Sequence, residues 1–156
     1  MSVQTSVTAA PVAGAPGELY DTSDNNEIIS LRAISDTPFG AYVSETAEGD
    51  GDLPDAEGEV TSATRRGIAL KDPNKASGDG YKAGDMMSVL FRGRAWCLNE
   101  EALAFGDTVY VRHVATAPEQ LGAFRTDVDG TDAAALPGAS VFRAGGVNAA
   151  ALELNP

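Results

Sequence analysis

His113 is the only histidine of the chain and Cys97 its only cysteine. A Ser-His-Asp or Cys-His machine needs the imidazole in a cleft beside its nucleophile. His113 instead lies inside the strand-like run DTVYVRHV at residues 107–114, and no G-x-S-x-G elbow is present. It therefore reads as a packed or surface strand residue, and Cys97 as a small core residue. One histidine and one cysteine cannot make a four-ligand zinc site of the usual kinds. A lone cysteine also precludes an intramolecular disulfide, which suits a reducing cytoplasm.

Three further stretches invite a chemical reading. The loop GDGYKAG at 78–84 suggests a phosphate cradle, but it lacks both the G-x-G-x-x-G spacing and a lysine followed by Ser or Thr. Asp127, Asp129 and Asp132 place three carboxylates within six residues, but their glycine is fourth where a calcium loop needs it sixth. They read as an acidic turn. Residues 45–59 hold seven acids, no base and three glycines. A glycosidase pair needs two carboxyls fixed across a cleft, one with a raised pKa; a glycine-rich, like-charged run is expected to stay a solvated, mobile loop. No catalytic residue, cofactor site or metal site is expected.

The elements that would position these residues are short. Residues 27–34 (EIISLRAI) read as a strand ended by the turn at Pro38, and 41–44 as its continuation. Another strand is expected around Ile68 and Leu70, followed by a long turn-rich loop. Residues 86–91 and 95–98 flank Arg92-Gly93-Arg94 and read as a hairpin, with Trp96 on its buried face. Asn99 is placed to cap one helical turn over 100–103, ended by Gly106. Residues 107–114, 121–126 and 140–144 are further strands, with 127–138 as a turn between the last two. Residues 149–154 alternate well enough for a closing strand, with helix the competing reading. Trp96, Val109 and Val111 are expected in the core. Residues 1–26, with Pro11 and Pro16, read as an extended arm.

The sum is an all-β, single compact sandwich or barrel, jelly-roll-like, of about eight or nine short strands. The domain would span 27–156 with an acidic loop at 45–59, preceded by the arm at 1–26. Seventeen glycines and eight prolines favour many short elements, and a hydrophobic fraction of 43% is globular. The net charge of -12 repels phosphate backbones, so nucleic acid is not an expected partner. The charge is uneven: residues 1–64 carry twelve acids against Arg32 alone, and residues 65–156 are nearly balanced. No window approaches a membrane span, and no signal-peptide core precedes Arg32, so neither export nor membrane insertion is expected.

The phrases GIALKD from Gly67, YKAGDMMSVLFRGRAW, FGDTVYVR, LGAFRT and LPGASVFRAGG running into AALELN form a pattern over 64–156. With the VAGAPGELYD arm more loosely, it resembles the cement, or decoration, proteins of tailed-bacteriophage capsids. That resemblance implies a non-enzymatic β body on the outer surface of a virion, made in the host bacterial cytoplasm. Its partners would be the major capsid protein, whose subunits it would bridge, and other copies of itself as a dimer or trimer. The arm would order along a neighbouring subunit. The acidic stretch 45–59 lies outside the resemblance. The rival reading is a carbohydrate- or host-receptor-binding sandwich, and a remoter one is a small hydrolase using His113.

Overall fold

A computed structural model describes residues 13–22, 25–76 and 80–156. Its centre is a closed barrel of five strands. β1 (Glu27–Ala33) pairs in parallel with β3 (Asp50–Asp52), which pairs antiparallel with β2 (Tyr42–Ala47). β2 then joins β4 (Arg66–Ala69), and β4 joins β5 (Met86–Trp96), which returns to β1 and closes the ring. Of the two forms open to the sequence, the all-β body takes the barrel.

Period-two alternation gives the barrel strands two buried faces. Leu31, Val43, Ala69, Met87 and Val89 fill the barrel interior with Phe39 and Tyr81. One position along, Tyr42, Ile68 and Leu90 face the other way into a second core with Val109, Val111, Phe124 and Leu152. Burial on both sides puts the sequence neighbours Val89 and Leu90 in different cores. The barrel is tight enough that a Cβ on Gly51 would lie 2.6 Å from Met87 Cε and 2.9 Å from Leu31 Cδ1.

The second core is roofed by a small sheet. In it β6 (Tyr110–Arg112) lies between β7 (Phe124–Arg125) and β8 (Ala133–Ala135). Beyond the barrel, β5 pairs with β10 (Ala151–Leu154), and β10 pairs with β9 (Ala139–Arg143), the outermost strand. The tail is thus the expected closing strand. Trp96, Val109 and Val111 are all buried.

Several local expectations are overturned. Arg92-Gly93-Arg94 is no turn, because β5 runs unbroken through it. On one edge β1 pairs with it as far as Arg92, and on the other β4 pairs at Val89 and Leu90 and β10 takes over from Gly93. Gly93, at φ +124°, sits where the strand changes partners, and a Cβ there would meet Asn26 Oδ1 at 2.0 Å. A glycine that serves a strand this way is indistinguishable in sequence from a turn glycine.

No helix follows Asn99. Asn99 is fully buried, and its Nδ2 donates to the carbonyls of Glu101 and Gly146, both at 2.7 Å. The one helix among the described residues, α1 (Glu57–Thr61), lies in the acidic stretch. That stretch is no solvated loop either: it supplies the end of β2, all of β3 and the first three residues of α1, whose next residue, Val60, is buried. Its charges are tied outward, Asp50 to Arg32 at 2.8 Å and Glu45 to Arg65 at 3.4 Å. Three alanines read as turn form β8, held by pairing to β6 rather than by propensity.

The arm, where described, belongs to the body. Gly17 N–H donates to the Trp96 carbonyl, Trp96 N–H to Glu18 O and Tyr20 N–H to Arg94 O. Residues 17–20 therefore extend the β1 ladder along the same edge of β5. Trp96 is 5% exposed, yet its indole lies on the face opposite the core-facing Ala95, covered by the arm. Tyr20 packs with its ring centroid 5.5 Å away, and Gly14 lies flat on the indole with no room for a Cβ. The part of the expected arm at residues 1–12 lies outside the described residues.

Candidate functional site

The residues singled out for chemistry are not brought together into a reaction centre. Cys97 is fully buried, burial pushes its thiol pKa up, and its Sγ lies 3.4 Å from the Ala150 carbonyl. A protonated, sealed thiol is a poor nucleophile. His113 is 9% exposed; its backbone N–H donates to Asp132 O, and its Nδ1 is buried with no hydrogen-bond partner among the described residues. In the 78–84 loop, Gly80 adopts φ +61°, the Tyr81 hydroxyl donates to Leu70 O and Lys82 pairs with Asp36 at 2.9 Å. These are the contacts of a packed turn.

Asp127 and Asp129 prove to be counter-ions. Arg112, from β6, is 2% exposed and holds three carboxylates: Glu100 at 2.8 Å, Asp129 at 2.7 Å and Glu119 at 3.2 Å. Arg125, from β7, reaches Asp127 at 2.6 Å, Asp129 at 3.1 Å and Glu100 as well. Burial works to lower the Arg112 pKa, but hydrogen bonds to Glu100 and Asp129 outweigh it and the pKa is raised. The cluster lines a concavity of about 530 Å³ together with Leu98, Pro118 and Val147. Sequence reasoning missed this network because Glu100 and Arg112 meet across an unrecognised loop; only alternating acids and arginines hinted at it.

The Asp129 carboxyl sits below its usual pKa, first through the hydrogen bond from Arg112 and then through Arg125. Asp36 and Asp85 are likewise lowered, chiefly by Lys82 and Lys75. A carboxyl whose folded pKa is depressed stabilises the fold above its unfolded pKa, and that stability is lost as pH falls through the folded value. Acidification should first relieve the repulsion of a chain carrying -12, then remove these pairs below about pH 4. Melting temperature should hold or rise slightly from neutral pH and then fall. Asp129→Asn should flatten the acid limb; asparagine tolerates the φ of +43° found there.

With no reaction centre in view, exposed apolar side chains become the informative surface. Phe105 is 84% exposed at the tip of a fixed turn. Asp107 N–H donates to Ala104 O, Asp107 Oδ2 accepts from Ala104 N–H at 2.8 Å, and Gly106 supplies φ +92°. Leu103, just before the turn, exchanges two 3.0 Å backbone hydrogen bonds with Gly145. Gly145 lies between β9 and β10, and β10 begins opposite Trp96, so Phe105 stands near the Trp96 end of β5. A second apolar site occupies the other end. Met86 opens β5 opposite Arg32, and it is exposed, as is Ile34 just after β1; Ile28, farther along opposite Leu90, is exposed as well.

A family model described as structural cement protein (E217 gp24/Pam3 gp6) matches residues 3–155. Among solved structures, a chain from the capsid of Myoviridae phage XM1 superposes with a TM-score of 0.72. It is 18% identical, and the match covers 99% of this chain and 98% of that one, so the two share a fold over essentially their whole lengths. No curated protein matches.

Proposed function

The chain belongs to the phage structural cement protein family, and from that premise we propose that it binds the outer surface of a capsid and stabilises the shell by bridging major capsid protein subunits. The observation that supports bridging is the placement of two exposed apolar sites at opposite ends of β5. Met86 opens β5 and Phe105 stands on a separate turn near its Trp96 end, so the two sites are distinct and each can engage a different subunit. An exposed aromatic on a rigid turn loses little entropy on docking and has the character of an interface hot spot. The body carries no catalysis and holds no nucleic acid in this reading. Several copies act together as a dimer or trimer, made in the host cytoplasm before joining the virion, because repetition raises avidity without new contact types.

Two surface variants test this. Phe105→Asp and Met86→Asp should each leave folding stability within about 0.5 kcal/mol, since both side chains face solvent. Each should weaken decoration of purified heads by about 10- to 30-fold, the equivalent of an interface residue worth about 2 kcal/mol. Loss with only one of the two would show one-sided attachment instead of bridging. Undiminished occupancy with both would remove the reading.

A further inference from the structure

The hollow that holds the Arg112 network lies beside the exposed Phe105. Residues 98–101 line it from one segment, and Val147 and Asn148 from another. Asn148 N–H donates to Asn99 O at 3.0 Å and Asn99 Nδ2 to Gly146 O at 2.7 Å, so the two segments run side by side. Leu103, two residues before Phe105, bonds Gly145, two residues before Val147. Two residues of chain span at most about 7 Å and a backbone pair about 5 Å, which sets Phe105 within about 20 Å of Val147. A standard interface of about 800 Å² per partner is wider than that, so one partner surface reaches both.

The hollow has an apolar wall. Leu98, Pro118 and Val147 form it, and the last two are exposed. Its volume of about 530 Å³ falls among small-ligand sites, which run from about 300 to 1,000 Å³. Such a wall suits an aliphatic stem that ends in a polar tip.

Charge decides the tip. Four carboxylates line the hollow (Glu100, Glu101, Glu119 and Asp129) against the two guanidiniums of Arg112 and Arg125, a net -2. The guanidiniums are already spent: the Arg112 nitrogens donate to Glu100, Glu119 and Asp129, and the Arg125 nitrogens to Glu100, Asp127 and Asp129. Acceptors are left over. The bonds of Glu101, Glu119 and Asp129 fall on one oxygen of each, Oε1, Oε2 and Oδ2, which leaves the second oxygen open. A second copy of this chain has little charge to offer them. Eight of its eleven Lys and Arg residues are ion-paired internally, and two copies at -12 repel.

We propose that the hollow receives an arginine side chain from the partner surface that covers Phe105. Leu98, Pro118 and Val147 hold its methylene stem, and its planar guanidinium spreads donors to the open carboxylate oxygens as a compact ammonium cannot. The inference names the chemistry of the Phe105 contact and rests on the reading above for the partner, a capsid subunit.

The first test needs no head. Acetylated, amidated Leu-Arg-Leu is titrated into free protein, with Leu-citrulline-Leu as its neutral twin, and followed through the side-chain amide signals of Gln120 and Asn148, which line the hollow. Saturable shifts are expected, with the citrulline peptide about 10-fold weaker, the worth of a charge-assisted hydrogen bond. Combining Glu101→Gln with Glu119→Gln removes the net -2 and should erase the preference for arginine. The new amide oxygen at 101 still accepts from Thr126, and Arg112 keeps Glu100 and Asp129, so an unchanged melting temperature is expected to accompany the loss. On purified heads the same double variant should weaken decoration by about 10-fold. Equal binding of the two peptides, shifts that avoid the hollow, or unchanged head occupancy by the double variant would overturn the proposal. So would dimerisation of free protein that the double variant abolishes, which would seat a second copy there. Heads that take up no wild-type protein would instead remove the capsid reading and leave the peptide result standing.

Discussion

Trp96→Ala is expected to destabilise the protein by about 3–5 kcal/mol in denaturant melts, the cost of emptying a large buried aromatic site. The site differs from an ordinary core cavity. The indole is enclosed by Tyr20, Gly14 and Arg143 on the side of the sheet where residues 13–20 cross, and Tyr20 also packs edge-on against Phe142 at 4.9 Å. Alanine would therefore loosen the strap as well as leave a void. Cutting the chain after residue 22 should shift Trp96 emission toward that of a solvated indole and lower the melting temperature, although no barrel residue is touched. A Trp96→Ala loss below about 1 kcal/mol would show that the indole serves as a contact surface.

Arg112→Met is expected to cost about 3 kcal/mol. Removing one partner of a fully buried ion pair costs about 3–5 kcal/mol because charge is left without compensation. Here Glu100, Glu119 and Asp129 keep side-chain exposures of 21%, 33% and 42%, so water recovers part of the loss. Arg112→Lys should rescue little. A single ammonium cannot reproduce the paired approach of Nε and Nη2 to Glu100 while also reaching Asp129. Urea melts at neutral pH decide the matter; a loss below about 1 kcal/mol would mean that Arg125 and water satisfy the three carboxylates unaided.

The parts of the fold legible in the sequence were those where one strand's own residues decide. EIISLRAI, SVFRA and the closing alternation around Leu152 became β1, β9 and β10 because apolar spacing and β-branching act locally. The unread parts depend on distant partners. Gly93 turns no corner because β1 along one edge of β5 and β10 along the other hold the chain on either side of it, and β8 is a strand because Val111 faces Ala134. The acidic run folds because β3 pairs with both β1 and β2 and the helix that follows buries Val60. The candidate sites follow the same division. Cys97 read correctly as core. The Arg112 network and the exposure of Phe105 depend on which loops the topology brings together.

The unbroken run of β5 has a mechanical meaning. β1 and residues 17–20 lie along one side of it, and β4 and β10 along the other. Ladder hydrogen bonds lie across the strand axis. A pull on one end of β5 acts along the local strand axis and strains the bonds on both sides together, in shear. A hairpin at Arg92-Gly93-Arg94 would have put both ends on one side, where the same force peels bonds apart one at a time. A strand gripped along both flanks is hard to draw out of the body by either end.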